Sequence, residues 1–164
     1  MSFDIPLDSS AIYLLARGLQ ANGRITVVPH QTATSDVITV DIAAEYRDWD
    51  LFRSTAVCLL ERRRGEQVVG VFVSTSLQSP GTGYVLTFDK KTPKHLVWTN
   101  RRTDVEITVK IPHQPAGPVL ELPVFEIVAP EFQVTLPDTE KFVNFHDLTI
   151  HTSGVPVTVE VSQV

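Results

Sequence analysis

Apolar and polar residues alternate with a period of two along much of this chain. Over 104–111, Val105, Ile107, Val109 and Ile111 fall on one side, and Asp104, Glu106, Thr108 and Lys110 on the other. Over 131–136, Phe132, Val134 and Leu136 share a side. Near the end, Val155, Val157, Val159 and Val161 alternate with Pro156, Thr158, Glu160 and Ser162. Successive side chains of an extended strand point to opposite faces, so these segments read as half-buried strands. Further strands are expected at 24–28, 36–44, 55–62, 67–74, 83–88, 94–99, 118–128 and 147–152. Two stretches, 56–60 and 68–73, are apolar on both sides and are expected as central strands covered on both faces. The charged link 61–67 between them predicts a hairpin. Ile107, Val109, Phe132, Val134, Val157, Val159, Leu60, Val71 and Val73 are the expected core.

Proline and turn residues set the limits of these elements. Pro112, Pro115, Pro118, Pro123, Pro130, Pro137 and Pro156 crowd the last third of the chain. Proline lacks a backbone donor and clashes with the preceding helical turn, which excludes a long helix there. Pro123 and Pro156 fall inside strand candidates and point to edges or bulges. One short helix is consistent with 10–21, capped by Asp8, Ser9 or Ser10 and stopped at Asn22-Gly23. The alternative is a hairpin with Asn22-Gly23 as its turn and 24–28 as the return strand. Residues 1–23 are thus read as an N-terminal arm with a short helix or hairpin, and 24–164 as one all-β domain. About ten short strands in antiparallel order imply a β-sandwich or jelly roll.

Composition adds exclusions. The 164 residues suit one domain, and the net charge of −5 disfavours nucleic acid as a partner. No apolar run approaches the ~20 residues of a membrane helix. The start of the chain has no basic segment leading into an apolar one, so no signal peptide is expected. The single cysteine, Cys58, lies in an apolar run and reads as a small hydrophobe.

No catalytic motif emerges. The histidines His30, His95, His113, His146 and His151 lack metal-ligand spacing. The nearest to a pair is His151 with Asp147, which fall on one face of a strand with Thr149. Glu45, Asp48 and Asp50 cluster without the glycine-bearing loop of a calcium site. Nucleophile elbow, Walker loop and dinucleotide fingerprint are all missing. Ser79-Pro80-Gly81-Thr82-Gly83 leads into a strand pattern, whereas a phosphate cradle leads into a helix. The stretch Lys90, Lys91, Lys94, His95, Arg101 and Arg102 reads as solubilising turns around a strand. The chain is therefore expected to be no enzyme and to hold no metal or cofactor.

What is left is contact chemistry. Phe3, Ile5 and Leu7 alternate in the first segment, which suits an added strand on a neighbour. Trp49 and Phe52 lie in an aromatic connecting segment, Trp98 lies within the basic stretch, and Arg63 sits at the hairpin tip. In size and strand rhythm, residues 24–164 resemble the small β-sandwich virion proteins, such as the capsid decoration (cement) proteins of tailed bacteriophages. The resemblance is one of character and transfers no site residue. It implies a non-enzymatic homo-oligomer that binds a capsid lattice, made in a host cytoplasm and located in the virion. Tail or baseplate subunits are similar in the same way. A carbohydrate-binding sandwich, using Tyr46, Trp49, Tyr84 or Trp98, is the other reading. Chelating agents are expected to leave folding and the thermal midpoint unchanged, and stoichiometric zinc or iron in purified protein would overturn the metal-free expectation.

Overall fold

The structure, a computed structural model, describes residues 1–17, 21–31, 36–46, 55–73, 103–154 and 156–160. Its elements are β1 (Ser2–Pro6), β2 (Ala11–Arg17), β3 (Ala21–Gln31), β4 (Val37–Tyr46), β5 (Thr55–Arg63), β6 (Glu66–Val73), β7 (Thr103–His113), β8 (Leu120–Val128), β9 (Phe132–Pro137), a 3-10 turn at Thr139–Lys141, β10 (Val143–His151) and β11 (Val157–Glu160). The protein is all-β, in two mixed sheets. The larger has six strands in the order β1-β4-β7-β3-β9-β11, and the smaller has five in the order β10-β8-β2-β6-β5.

The expected antiparallel order is corrected here. Six strand pairs are parallel, β10/β8, β8/β2, β2/β6, β11/β9, β9/β3 and β3/β7. Among the described residues, only β1/β4, β4/β7 and β5/β6 are antiparallel. The reason lies in the chain's route. The successive pairs β2–β3, β6–β7, β8–β9 and β10–β11 each pass from the smaller sheet to the larger. Strands that take the same route run the same way, and these arches stack in the same order across both sheets. The pair β4–β5 takes the reverse route, and so both strands meet their neighbours antiparallel.

The β8–β9 arch is made by a short link. Only residues 129–131 separate β8 from β9, enough extended chain to cross the ~10 Å between packed sheets. Ala129 is fully buried at that corner. Neighbouring corners bond to each other: Ala129 N–H donates to the His151 carbonyl (2.9 Å) and Ser153 N–H to that of Pro130 (2.7 Å).

Inward residues of both sheets form one core. Ile25, Val27, Ile38, Val40, Ile107, Val109, Phe132 and Val134 come from the larger sheet, and Ile12, Leu14, Val69, Val71, Phe125 and Ile127 from the smaller. Alternation over 104–111 and 132–136 places Val105, Ile107, Val109, Ile111, Phe132, Val134 and Leu136 inside, as their pattern required. The hairpin between β5 and β6 also forms, with Gly65 at φ 81° in its turn.

Other expectations fail. Residues 11–17 are a strand where a helix was one option, and the hairpin option fails too, since β2 and β3 lie in different sheets. Asn22 and Gly23 belong to β3. A Cβ on Gly23 would sit 1.7 Å from the Val105 carbonyl oxygen, so glycine serves close strand approach there and no turn. The segment with Phe3 and Ile5 is β1, paired with β4 of the same chain. Leu60 is 56% exposed, because β5 is an edge strand among the described residues and Leu60 points away from the core-facing Val57 and Leu59. Val157 and Val159 are 42% and 49% exposed. They register with Val134 and Leu136 and so share their face, but among the described residues β11 is outermost and no further layer covers them. The side chain of Val73 and the strands expected at 83–88 and 94–99 lie outside the described residues.

One irregularity shapes the end of the stack. In β10 the core-side residues are Val143 and Phe145, then Leu148 and Ile150, so the facing shifts by one position between them. The partner β8 makes the same shift, from Leu122 to Phe125 and Ile127. Register is unchanged across it: Phe145 pairs with Leu122 and Leu148 with Phe125. Pro123 falls at this crease, where a missing backbone donor does least damage. The rings of Phe125 and Phe145 stack across it, 5.3 Å apart.

Replacing Phe132, fully buried in β9, with alanine is expected to cost ~3–5 kcal/mol in denaturant unfolding. Val157→Ala, on the outermost strand, should cost less than about 1 kcal/mol. Equal losses for the two would contradict this division of core from edge.

Candidate interaction surfaces

The outward face of the larger sheet is polar because every strand contributes its other alternate residues to it. One row across all six strands reads Ser2, Asp41, Thr108, Thr26, Thr135 and Thr158. Lys110 Nζ lies 2.5 Å from Asp41 Oδ2, and both side chains are partly exposed. The hydrogen bond from Lys110, with one from Ser2, holds the Asp41 carboxyl below its ordinary value. The N-terminal ammonium of Met1 donates to the Ile42 carbonyl at 2.8 Å.

A groove of about 610 Å³ opens at one end of this face, lined in part by Asn22, Arg24, Glu45, Asp104, Glu106 and Glu131. Pairing explains the gathering: Glu45 and Asn22 flank Asp104, and Arg24 lies beside Glu106. Asn22 Nδ2 donates to Asp104 Oδ1 at 2.9 Å, while Asn22 Oδ1 is buried without a partner. Four carboxylates around one guanidinium favour cationic or hydroxyl-rich contacts over anions. Among the described residues no three His, Cys, Asp or Glu side chains converge to hold a metal ion.

The smaller sheet offers a different edge. On β10 and β8, Glu121 accepts from Asn144 Nδ2 (2.9 Å) and meets His146 Nε2 at 2.7 Å. These bonds, Asn144 first, keep the Glu121 carboxyl below its ordinary value. The sequence offered His146 without this partner, since 25 residues separate the two. His151 is exposed on the same strand, and Thr149 donates to Asp147 at 3.3 Å. His113 is half-buried, its ring 6.1 Å from that of Phe142 and its Nδ1 without a partner. His30 is exposed on β3.

Sequence-derived contact residues divide into three groups. Ile5 is fully buried, and Phe3 and Leu7 pack against the core, so all three serve the chain's own interior. Arg63 is exposed next to the hairpin turn, at a register shift opposite Glu66. Its neighbour Arg62 lies 5.5 Å from the centre of the Tyr13 ring, a cation–π distance. Trp49, Phe52 and Trp98 lie outside the described residues, as do Asp48, Asp50, Tyr84, His95 and the basic stretch 90–102. Cys58 is a free, half-buried thiol.

No family model matches the chain, and no curated protein matches it. A solved structure of a "putative cell adhesion protein" from Clostridium sporogenes overlaps it at a TM-score of 0.32 and 7% identity, over 99% of both chains. So loose an overlap assigns neither fold family nor function.

The Asp41–Lys110 contact gives a pH signature. A carboxylate held below its ordinary value of 3.8 in the folded chain adds stability above that value and loses it as pH falls through 3.8 and below. Asp41→Asn is therefore expected to flatten the acid limb of the stability–pH curve, with under ~1 kcal/mol lost at neutral pH because the pair is partly exposed. An acid limb of unchanged slope would show that the contact is not formed in solution.

Proposed function

We propose that this protein is a non-enzymatic structural module with a β-sandwich-like fold, acting as a homo-oligomer or as a subunit bound to a larger protein lattice. One observation carries the reading. Among the described residues, both sheets finish at one end of the arch stack in outermost strands, β10 and β11, and core-side residues there stand half-open: Phe145, Leu148 and Ile150 are only partly buried, and Val157 and Val159 are exposed. Outermost strands with unpaired backbone groups and apolar side chains are templates for further protein. The virion setting, a capsid lattice or a tail assembly, follows from the resemblance of strand rhythm and is proposed on that basis alone.

Size-exclusion chromatography with light scattering, followed by electron microscopy of any larger species, tests this function. Assembly beyond the monomer supports it. A strict monomer at high concentration that binds glycans would replace it with a carbohydrate-binding module.

A further inference from the structure

We infer that β10 is a self-association edge, on which the β10 of a second copy of the chain pairs antiparallel about a two-fold axis at the His146–Asp147 peptide. The inference rests on the assembly reading above and gives it a surface. Among the described residues β10 has one strand neighbour, β8, and none of them pairs with its other backbone edge.

The crease makes this edge complementary to itself. A regular strand alternates strictly, so its inward and outward pattern is symmetric about a residue. In β10 the shift moves the centre of symmetry onto a peptide bond. Core-side Val143 and Phe145 precede it and Leu148 and Ile150 follow it, with outward Asn144 and Thr149 placed evenly on either side. Antiparallel pairing about that centre sets Val143 against Ile150 of the second copy and Phe145 against its Leu148, all on the core side. Asn144 meets Thr149 on the outer side. Displacing the register by one residue would turn an inward residue against an outward one in every pair except the central residue meeting its own copy. The crease itself already passes from β8 to β10 without loss of register, so it can pass into the next strand in the same manner.

Charge agrees with shape. At the centre, His146 of each copy lies opposite Asp147 of the other, giving two imidazole–carboxylate contacts. Both side chains are exposed. Glu121 takes up the His146 Nε2 at 2.7 Å, which leaves Nδ1 for Asp147 across the axis, a donor when the ring carries both protons. An aspartate on an open edge ordinarily repels strand addition. Here it repels strands lacking a facing histidine and accepts its own copy, which is specificity by exclusion. The edge strand β1 shows the contrast: its alternation centres on Asp4, and self-pairing there would oppose two carboxylates. An isologous contact of this kind also closes after two subunits.

Two measurements test it. In a Cys58→Ser background, the variant Asn144→Cys with Thr149→Cys should oxidise to a covalent dimer, whereas Thr149→Cys alone should not, because its two copies lie ~17 Å apart along the strands. By sedimentation, His146→Asp should weaken association about tenfold or more by opposing like charges. Adding Asp147→His should restore it, with the thermal midpoint of the monomer unchanged throughout. An oligomer that persists in His146→Asp, or one that oxidises through the native Cys58 on β5, places the interface elsewhere. Either result overturns this inference while the assembly reading stands. A strict monomer at several hundred micromolar overturns both.

Discussion

Burial of Val, Ile, Leu and Phe side chains from both sheets in one layer constrains every connection of this fold. A strand that crosses from one sheet to the other must turn its apolar side back toward the layer it has just crossed. The 129–131 link meets that demand with Ala129 tucked inside, and the next arch bonds to it through His151 and Ser153. Repeated crossings in the same sense then impose parallel pairing within each sheet. Parallel strands elsewhere need helical crossovers in one sheet. In the β8–β9 crossing the opposite sheet serves as the return path.

Stacking by layers leaves ends, and the ends differ. At one of them β1 continues the larger sheet beyond β4 and buries Ile5 completely. At the other, β10 and β11 are outermost among the described residues, and beyond the buried Val143 their core-side residues are only partly covered. The crease shared by β8 and β10 lies at this second end. A proline in a ladder would ordinarily weaken pairing; Pro123 coincides with the place where both strands change face together, so its missing donor and the change of facing share one site.

The polar sides of the two sheets carry different chemistry from the same alternation. The larger sheet presents a row of hydroxyls and a groove rich in carboxylates. The smaller presents Glu121, Asn144 and His146 in one hydrogen-bonded group beside an open strand edge. The charged side chains at both places are partly or fully exposed. Exposed charges of this kind attract or repel whatever charged group approaches them.

Alternation in the sequence determined which residues face inward in β7 and β9, because side-chain direction in a strand follows from covalent geometry alone. The β5–β6 hairpin was legible for a similar reason: a glycine-bearing charged turn between two apolar runs leaves the chain one local option. Pairing direction, by contrast, was decided only in the tertiary structure. A three-residue link such as 129–131 reads the same whether the next strand returns beside the last or crosses the core, and the choice depends on distant strands that offer their edges. The helix read into 10–21 failed on this point, since β2 gains β6 and β8 as neighbours from far along the chain, outweighing local propensity. Leu60, Val157 and Val159 failed for a related reason. Their alternation says which way they point, but whether anything covers them depends on being innermost or outermost in a sheet. The meeting of His146 with Glu121, and the palindrome of faces along β10, likewise arise only from register with β8, a long-range relation that local sequence does not encode.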